Sequence, residues 1–599
     1  MMKTILKNAD LHMPRTDYPR PQWQRKEWYC LNGKWDFAFD FGRSGESRGM
    51  WNAGEYPLTI TVPFCPESKL SGIEYKDFIP AVWYRKTISL DVPDKSRAML
   101  HFGAADHFCK VWVNGVLCGS HKGGYTAFSI EITDAIKDGE NVFTVYCEDD
   151  TRSKKQPIGK QSETCGSAGC SYTRTTGIWQ TVWLEYVPES FMQSAKITPR
   201  AADSSVEIIV RTDGAKYGDK VRAVACYDGK KVGTAKATVI GKTAALNLTV
   251  KEKHLWDVGK PELYDLSLVL ETESGEIKDA VDSYFALRDV TLSKKALEIN
   301  GRPVFLRHVL DQGFNPDGIY TAPSDEFLKK DIELSMALGF NGARFHQRVF
   351  EDRSLYWADK LGYTVWCELP YGVDIGTSEF IENALPEWTE MIKTQYNHPC
   401  VIGWIVTNET YHCPVIDENA VKLMYRITKD LDPTRPVIDA SGGIHYETDM
   451  FDVHEYEGDP AKLTEYLEEM RKDEKACHVC GYRYRAAGAP YRKETYKGQP
   501  YWISEYGGVF WNPETVKNGG TGWGYGKAPK TEEEFAQRYA AINEILLSHP
   551  RICGFCYTQL TDIEQEQNGL YYYDRREKFS KETYDKIRAA NTGKAAIEE

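Results

Sequence analysis

Residues 403–409 read Gly-Trp-Ile-Val-Thr-Asn-Glu, an apolar run that ends in a carboxylate. A second run, Tyr-Trp-Ile-Ser-Glu at 501–505, ends in the same way. Short apolar runs of this kind indicate buried strands. A charge at the end of a buried strand costs free energy unless it has partners or a function. The two segments therefore predict two core strands whose terminal carboxylates lie in a cleft.

Further segments with strand character follow Arg288, and amphipathic helices fit between most of them. The first predicted helix runs from Ser324, a good N-cap, to Gly339, a good C-cap. Strands alternating with helices in this number are typical of a (β/α)8 TIM barrel, and an open doubly wound sheet is the alternative. No Gly-x-Gly-x-x-Gly follows a strand, so we predict no nucleotide cofactor. The predicted strands are 304–307, 342–345, 364–368, 401–407, 437–439, 452–456, 501–505 and 552–557.

Two all-β regions precede the predicted barrel. Residues 1–188 contain short alternating strands separated by Gly, Asp and Asn, and Asn114-Gly115 indicates a tight hairpin. This spacing predicts an N-terminal jelly-roll sandwich. Residues 189–288 have the length and strand density of an immunoglobulin-like β-sandwich. The predicted architecture is thus two β-sandwich domains followed by a TIM barrel over residues 289–599.

The bulk composition excludes several classes of partner. The 599 residues carry a formal net charge of −13 without a dense Lys/Arg cluster, so we expect neither nucleic acid nor a membrane surface as partner. No run approaches the roughly 20 apolar residues of a membrane span. The N-terminus lacks the apolar core of a signal peptide, and the 15 cysteines lack the spacing of a disulfide framework. We therefore expect a reduced, cytoplasmic protein.

Aromatic side chains and paired cysteines leave alternatives open. Tyr, Trp and Phe make up 13% of the chain, which fits stacking on sugar rings but also fits a protein rich in strands. The pairs Cys477/Cys480 and Cys553/Cys556 allow a shared four-thiolate zinc site. Their wide separation and the strand context of the second pair disfavour that site.

The carboxyl ends of barrel strands meet at one face, where the active site lies. Glu409 ends the fourth predicted strand and Glu505 the seventh, so the two carboxylates are expected to face each other. Facing carboxylates are what acid–base hydrolysis of a glycosidic bond requires. The alternative is that each glutamate is an ordinary solvated or salt-bridged residue. The other polar residues at these strand ends disfavour this alternative. Those residues are Arg344, His346, Glu368, Asn408, His454 and Tyr456.

The surroundings of the two glutamates suggest a retaining mechanism. Glu505 is predicted to be the nucleophile, kept ionised by partners such as Arg344 and Tyr456. Glu409 is predicted to be the general acid/base, with its pKa raised by the second carboxylate. Asn408 is predicted to hold the sugar 2-hydroxyl. The carboxyl groups are expected to lie roughly 5–5.5 Å apart.

Other residues near these strand ends are candidates for substrate contacts. Trp502 and Trp511 are possible sugar platforms, and Trp502 is equally compatible with the core. An ordinary ion pair is the alternative for Arg344, and a hydrogen-bonded structural role is the alternative for His346 and His454. No three His, Cys or Asp residues show a recognisable ligand spacing, so we predict no catalytic metal.

Short motifs spread over nearly the whole chain occur together in one known family. They are Asn-Gly-Lys-Trp at 32–35, Trp-Tyr-Arg at 83–85, Gly-Ile-Trp-Gln at 177–180, Leu-Trp at 255–256, Pro-Glu-Leu-Tyr at 261–264, Asn-Gly-Ala-Arg at 341–344, Asp-Lys-Leu-Gly at 359–362, Asn-His-Pro at 397–399, Asn-Glu at 408–409 and Ser-Glu-Tyr-Gly at 504–507. Jointly they resemble family 2 of the glycoside hydrolases, the group of β-galactosidases, β-glucuronidases and β-mannosidases. The resemblance implies a sugar-binding N-terminal sandwich, Glu409 in the acid/base segment and Glu505 in the nucleophile segment.

Two departures from the family pattern bear on the substrate. The family's Arg-x-x-His-Tyr-Pro run reads Arg-Phe-His-Gln-Arg-Val at 344–349, so the transition-state histidine is not in place and His346 is the candidate substitute. The Asn-x-Lys of the family's glucuronidases would fall at 566–568, where Glu566 and Asn568 stand and no lysine is present. An acidic Glu566 is expected to repel a uronate, which argues against glucuronides.

We therefore predict an exo-acting retaining β-glycosidase with a carbohydrate substrate, a β-galactoside first. Exo action is expected because two long loops, 473–500 and 507–529, would wall the barrel mouth; surface elaboration or a homo-oligomer contact is their alternative role. Arg483, Arg485 and Arg492 are an alternative grip on a uronate, which would make the chain a β-glucuronidase or β-galacturonidase. A transglycosidase or phosphorylase on the same barrel is a further alternative. A catalytically silent carbohydrate-binding protein is the alternative of another class, and the presence of both glutamates disfavours it.

Overall fold

The structure is a computed structural model that describes residues 4–8, 10, 12–410, 413, 415–442, 444–473, 475–478 and 496–598. Within these residues two β-sandwiches precede an eight-stranded parallel sheet that curves into a barrel. The predicted fold class is confirmed. Among the described helices, none combines the length and the apolar character that crossing a membrane would need.

The first sandwich packs a five-stranded sheet against a six-stranded sheet. Its strands are β1 Ile5–Leu6, β2 Glu27–Cys30, β3 Gly33–Phe39, β4 Leu58–Val62, β5 Ala81–Leu90, β6 Ser96–Phe102, β7 Ala105–Asp106, β8 Phe108–Val113, β9 Val116–Lys122, β10 Phe128–Glu131, β11 Gly139–Glu148, β12 Gly177–Ile178 and β13 Val182–Pro188. The sheet orders are β1-β2-β13-β6-β10 and β4-β3-β5-β11-β8-β9. Leu100 and Leu184 of one sheet and Val145 of the other share a core, as in other packed sheets. Asn114 and Gly115, both with positive φ, form the predicted two-residue hairpin between β8 and β9.

The second sandwich has seven strands in two sheets. They are β14 Phe191–Arg200, β15 Ser205–Asp213, β16 Lys220–Tyr227, β17 Lys230–Thr238, β18 Thr243–Thr249, β19 Tyr264–Glu271 and β20 Ile277–Phe285. The sheet orders are β14-β15-β18 and β17-β16-β19-β20. Strand β18 alternates exposed and buried residues, and its buried Leu246 and Leu248 join Leu268 in the core between the sheets.

The barrel follows a small antiparallel sheet of β21 Val290–Leu292, β22 Leu297–Ile299 and β23 Arg302–Val304. Its strands are β24 Leu306–Asp311, β25 Gly342–Phe345, β26 Thr364–Glu368, β27 Val401–Asn408, β28 Val437–Ser441, β29 Phe451–Glu455, β30 Tyr501–Tyr506 and β31 Ile552–Tyr557. The described helices are α1 Asp325–Ala337, α2 Asp352–Leu361, α3 Leu385–Gln395, α4 Glu418–Leu431, α5 Pro460–Lys472, α6 Pro513–Lys517, α7 Glu532–Leu547 and α8 Lys581–Asn591. The strand order is β28-β27-β26-β25-β24-β31-β30-β29, with all hydrogen-bonded pairs parallel. The outer strands β28 and β29 lie side by side, which brings the two ends of the sheet together.

Local sequence accounts for the helix and strand limits around the first barrel unit. Ser324 Oγ accepts the Phe327 N–H, which caps α1 as predicted. Gly339 follows the helix with a φ of +83°, a conformation that glycine adopts without strain. The first barrel strand begins at Leu306, later than predicted, because Val304 pairs with β22 in the small antiparallel sheet.

Trp502 belongs to the barrel core. Its side chain is 0% exposed, and its ring packs on Trp366 with a centroid separation of 5.2 Å. Trp502 stands near the start of β30, three residues before Glu505, so it lies beneath the barrel mouth. The structure thus corrects the interpretation of Trp502 as a sugar platform and agrees with the alternative that placed it in the core.

A segment of the first sandwich reaches the barrel mouth. It is the 149–176 segment between β11 and β12, and it contacts the loop that follows β26. The N–H groups of Ile158 and Gly159 both donate to the Tyr371 carbonyl at 2.7 Å. Gly159 has a φ of +59°, and a Cβ at this position would lie 2.4 Å from the Gln347 carbonyl oxygen. The close approach therefore requires glycine and holds this segment beside the strand ends.

Candidate active site

Glu505 is an enclosed carboxylate at the carboxyl end of β30. Its side chain is 4% exposed. Arg344 Nη1 donates to Glu505 Oε1 at 2.9 Å, and the Tyr456 hydroxyl donates to Oε2 at 2.5 Å. Burial raises the pKa of Glu505, but the His454 ring and the Arg344 guanidinium lower it by more, so its pKa lies below the usual value. The site therefore holds Glu505 in its ionised form.

Glu409 follows β27 in an unusual backbone conformation and is the more open of the two carboxylates. Its φ is +46°, and its N–H donates to the Ser441 carbonyl at 2.9 Å. Left-handed non-glycine residues are uncommon and cluster at functional sites. Its side chain is 17% exposed, against 4% for Glu505. One carboxylate is thus surrounded by donors, whereas the other has access to solvent and to a ligand.

The His454 ring joins the two carboxylates. Arg344 Nη1 lies 3.1 Å from His454 Nε2. Because a guanidinium only donates, Nε2 accepts, and the hydrogen-bond network assigns the ring proton to Nδ1. His454 Nδ1 lies 2.6 Å from Glu409 Oε1 and 3.3 Å from Glu505 Oε2. A single N–H therefore faces both carboxylates.

The spacing of the two carboxylates is short. One oxygen of Glu409, one oxygen of Glu505 and one ring nitrogen of His454 all lie within 4.8 Å of one another. Carboxyl groups roughly 5–5.5 Å apart occur in retaining glycosidases, and separations of about 6.5–9.5 Å occur in inverting ones. An approach of two carboxylate oxygens within 4.8 Å is shorter than the separations of the inverting class and is compatible with the retaining class.

Two sets of three possible metal ligands occur in the described part of the chain: Glu409, His454 and Glu505, and Asp359, His398 and Cys400. In the second set the Asp359 carboxylate already accepts from the His398 ring at 2.6 Å, from the Cys400 N–H at 2.8 Å and from the Tyr284 hydroxyl at 2.7 Å. These bonds tie the second sandwich to the barrel. The expectation that no catalytic metal is required stays a prediction.

Arg344 organises the floor of the site from β25. It is fully buried, and its Nη2 donates to Asn408 Oδ1 at 2.5 Å. Its Nη1 also donates to the Ser504 carbonyl at 3.2 Å, and its Nε pairs with the Glu368 carboxylate. Asn408 Oδ1 is thus engaged as an acceptor, and the Asn408 amide N–H groups, which have no partner among the residues described, can donate to a ligand.

Glu368 at the end of β26 fixes the orientation of His346. Glu368 Oε2 lies 2.8 Å from His346 Nδ1 and accepts the Gln347 N–H at 2.9 Å. Burial raises the pKa of Glu368, but the effects of Arg344 and His346 in the opposite direction are larger. The net result is a pKa lowered to about 2. Burial also lowers the pKa of His346, so the ring is neutral, with its proton on Nδ1 and an acceptor at Nε2. His346 Nε2 lies 3.9 Å from Glu505 Oε1, next to the nucleophile candidate.

The 507–529 loop supplies one wall of the site. Tyr525 stacks on Tyr456 with a centroid separation of 3.6 Å, and its N–H donates to the Gly508 carbonyl at 2.7 Å. The Tyr456 hydroxyl in turn donates to Glu505. Tyr456 is therefore the side chain that lies between this loop and the carboxylate pair. Trp511 of the same loop, a candidate sugar platform, stacks on Phe579 with a ring-centroid separation of 6.4 Å.

Family models match all three parts of the chain. The sugar-binding domain of glycosyl hydrolases family 2 matches residues 29–188, the central family 2 domain matches 190–288, and the family 2 TIM barrel domain matches 290–516. The chain belongs to glycosyl hydrolase family 2. The predicted family, and with it the prediction of a glycoside hydrolase, is confirmed.

Curated relatives are identical to this chain at about a quarter of the aligned positions. A β-glucuronidase of Bacteroides fragilis is 25% identical over 85% of the chain and 73% of its own length. A β-glucuronidase of Streptococcus agalactiae is 24% identical over 68% of the chain and 71% of its own length. A β-galactosidase of Thermoanaerobacter pseudethanolicus is 29% identical over 62% of the chain and spans 50% of its own length. These alignments leave between a quarter and a half of each relative unmatched.

Solved structures of β-glucuronidases share the fold. The β-glucuronidase of Ruminococcus gnavus in complex with D-glucuronic acid superposes with a TM-score of 0.76 over 97% of this chain and 100% of its own. Its sequence identity is 17%. The similarity establishes the arrangement of sandwiches and barrel and does not identify the sugar.

Glu566 of this family 2 chain is part of a closed ring of hydrogen bonds. The ring contains Glu566, Tyr172, Gln312, Gln559 and Asn568, all of them buried. The Tyr172 hydroxyl donates to Glu566 Oε2 and accepts from Gln312 Nε2 at 2.9 Å. Gln312 Nε2 also donates to Gln559 Oε1 at 2.7 Å, Gln559 Nε2 to Asn568 Oδ1 at 3.0 Å, and Asn568 Nδ2 to Glu566 Oε1 at 2.9 Å.

This ring corrects the argument that Glu566 repels a uronate. Burial raises the pKa of Glu566 to about 7, even though Tyr172, Lys160 and Asn568 act to lower it. A carboxyl group with this pKa is largely neutral in mildly acidic solution. The sequence predicts a free anion at Glu566, whereas the tertiary structure has a buried, hydrogen-bonded group there.

Three residues near the site are not predicted by the sequence: Lys160, Tyr172 and Tyr525. The first two belong to the first sandwich, which gave no reason to look for barrel contacts. Tyr525 lies in a loop whose sequence indicates only a long Gly-rich segment. The residues Arg483, Arg485 and Arg492, as well as Cys480, lie outside the described residues.

Proposed function

We propose that the chain is an exo-acting, retaining β-glycosidase that works by double displacement. The observation that carries the proposal is that one oxygen of Glu409 and one oxygen of Glu505 lie within 4.8 Å, with Glu409 partly exposed and Glu505 enclosed. In the first step Glu505 attacks the anomeric carbon and Glu409 gives a proton to the leaving oxygen. In the second step Glu409 takes a proton from water, which attacks the anomeric carbon and releases Glu505. A site that only binds sugar does not need this pair of carboxylates.

The surrounding side chains fit this sequence of events. Arg344 and Tyr456 keep the Glu505 carboxylate ionised and oriented before the attack. The Asn408 amide N–H groups are available for the sugar 2-hydroxyl, a contact that strengthens in the transition state. The His454 N–H lies near both carboxylates, so it is placed to stabilise the one that is ionised in each step.

We propose a β-hexuronide, a glucuronide or galacturonide, as the preferred substrate, with a β-galactoside as the second candidate. The β-glucuronidases of Bacteroides fragilis and Streptococcus agalactiae support the first, and the β-galactosidase of Thermoanaerobacter pseudethanolicus supports the second. The raised pKa and the hydrogen bonds of Glu566 weaken the main objection to a uronate in mildly acidic solution. Exo action is supported by the walls that Tyr525 and the 149–176 segment build at the mouth. A cytoplasmic location and a homo-oligomer remain predictions.

A panel of p-nitrophenyl β-glycosides tests the substrate class. We expect kcat/KM for the β-glucuronide or the β-galacturonide to exceed that for the corresponding β-glucoside or β-galactoside by at least about 100-fold, because a site that supplies a counter-charge to a carboxylate leaves it unpaired when a neutral sugar binds. Proton NMR of the first product should show the β anomer before mutarotation. A faster neutral galactoside would replace the hexuronide by the second candidate, and an α anomer would contradict the retaining mechanism.

The pH profile is expected to report the state of Glu505. Its pKa is lowered from the usual 4.5, so the acidic limb of kcat/KM should lie below pH 4.5, with activity lost as pH falls through the pKa. Arg344→Gln removes one of the charges that lower this pKa, so its acidic limb should move to higher pH. Arg344→Lys keeps the charge and should move the limb less. Equal limbs in wild type and both variants would show that Arg344 does not control the ionisation of Glu505.

A further inference from the structure

Lys160 is held at the barrel mouth by its neighbours in the chain. The Lys160 carbonyl accepts the Tyr172 N–H at 2.8 Å, and the two preceding N–H groups donate to the Tyr371 carbonyl. Tyr172 is itself fixed by its hydroxyl, which bonds Glu566 and Gln312. Both sides of Lys160 are therefore anchored to loops that follow barrel strands.

The Lys160 ammonium group makes no hydrogen bond or ion pair with any residue that the structure describes, although its side chain is half-buried. Lysine in such surroundings is normally paired, because desolvating an unpaired charge is costly. Other cations on the loops after β25 and β31 do have partners. Arg348 donates to the carbonyls of Gly313 and Tyr320, and Lys578 pairs with Asp562.

Charges of the candidate active site act on Lys160. Burial lowers the pKa of Lys160, but the Cys170 thiol and the carboxylates of Glu409, Glu505 and Glu566 raise it by more, so that its pKa is raised overall. Lys160 in turn acts to lower the pKa of His346 and of Glu566. Lys160 is thus a cation, and its backbone contact with Tyr172, whose hydroxyl bonds Glu566, places it on the same side of the barrel mouth as Glu566.

The geometry points to Lys160 as the residue that binds the carboxylate of a hexuronide in the site of Glu409 and Glu505. This inference rests on the proposed function. An ammonium that is anchored, half-buried and unpaired is suited to a carboxylate, because the ligand then supplies the missing counter-charge. Asn568 stands where the glucuronidase lysine would stand, so the cation comes from the first sandwich instead of from the barrel.

Lys160→Met tests this assignment with two pairs of substrates that differ only at C6, the β-glucuronide with the β-glucoside and the β-galacturonide with the β-galactoside. We expect kcat/KM for the better hexuronide to fall on the order of 100-fold, because one partner of a buried charge pair is lost. Activity on the matched neutral glycoside should change less than about threefold, since its C6 hydroxyl needs no counter-charge. Lys160→Arg should recover part of the lost activity. Lys155→Met is the control, because Lys155 lies in the same segment, is exposed and pairs with Glu379.

Inhibition by the free sugars gives a readout that does not depend on turnover of the uronide. D-glucuronate or D-galacturonate should inhibit Lys160→Met on the order of 100-fold less than wild type, with the same shift absent for glucose or galactose. Equal losses on both members of a substrate pair, in a folded variant, would overturn the role of Lys160 while leaving the glycosidase proposal intact. A wild-type enzyme that prefers neutral glycosides would instead overturn the hexuronide proposal on which this inference rests.

Discussion

Glu505→Gln is expected to lower kcat by at least about 10⁴-fold on every substrate that the wild-type enzyme cleaves, which is the scale of effect when a nucleophile is removed. The neutral amide cannot form the covalent glycosyl intermediate. The replacement keeps the volume of the side chain and groups able to bond Arg344 and Tyr456, so the fold should persist. Steady-state kinetics together with circular dichroism would separate loss of chemistry from loss of structure.

Glu455→Gln is a matched control for this prediction. Glu455 ends the neighbouring strand β29 and is also buried, but its carboxylate contacts His478 and the Glu457 N–H. It should retain most of the activity. A fluorinated activated glycoside incubated with wild type should add one sugar mass to the peptide that contains Glu505. Full activity of Glu505→Gln, or labelling of another residue, would remove Glu505 from the nucleophile role.

Glu409→Ala is expected to lower kcat/KM by about 10²–10⁴-fold for substrates with poor leaving groups, the usual contribution of general acid–base catalysis. A dinitrophenyl glycoside needs little protonation of its leaving group, so its glycosyl enzyme should form and then accumulate. Azide should restore turnover, because this small anion fits where the carboxylate was and does not need a general base. The product should be the β-glycosyl azide.

Glu505→Ala with azide supplies the contrasting result. Here azide replaces the nucleophile itself and attacks from the opposite face, so the product should be the α-glycosyl azide. The two products distinguish the roles of the carboxylates by stereochemistry, not by the size of the rate loss. An α-azide from Glu409→Ala would exchange the two assignments, and a lack of rescue in both variants would contradict the double displacement.

The fold and the family of this chain follow from its sequence because they depend on local patterns. The apolar runs at 403–409 and 501–505 indicate buried strands wherever they pack, and Ser324 and Gly339 mark helix ends through contacts within one turn. Strands in parallel barrels end at one face, so Glu409 and Glu505 could be placed together without coordinates. Arg344, Glu368, Asn408, His454 and Tyr456 were found by the same rule, and the structure joins them in one hydrogen-bonded cluster.

The tertiary structure alone decided the features that depend on contacts between distant segments. Trp502 and Glu505 stand on one strand, yet only packing against Trp366 shows that the first is core. The charge of Glu566 could not be assigned from the chain, because its pKa is set by burial and by Tyr172, a residue 394 positions away. Lys160 reaches the barrel from the first sandwich only because Gly159 permits a close approach to the Gln347 carbonyl. Sequence determines which strand ends carry polar groups, whereas burial and long-range hydrogen bonds determine their charge and their partners.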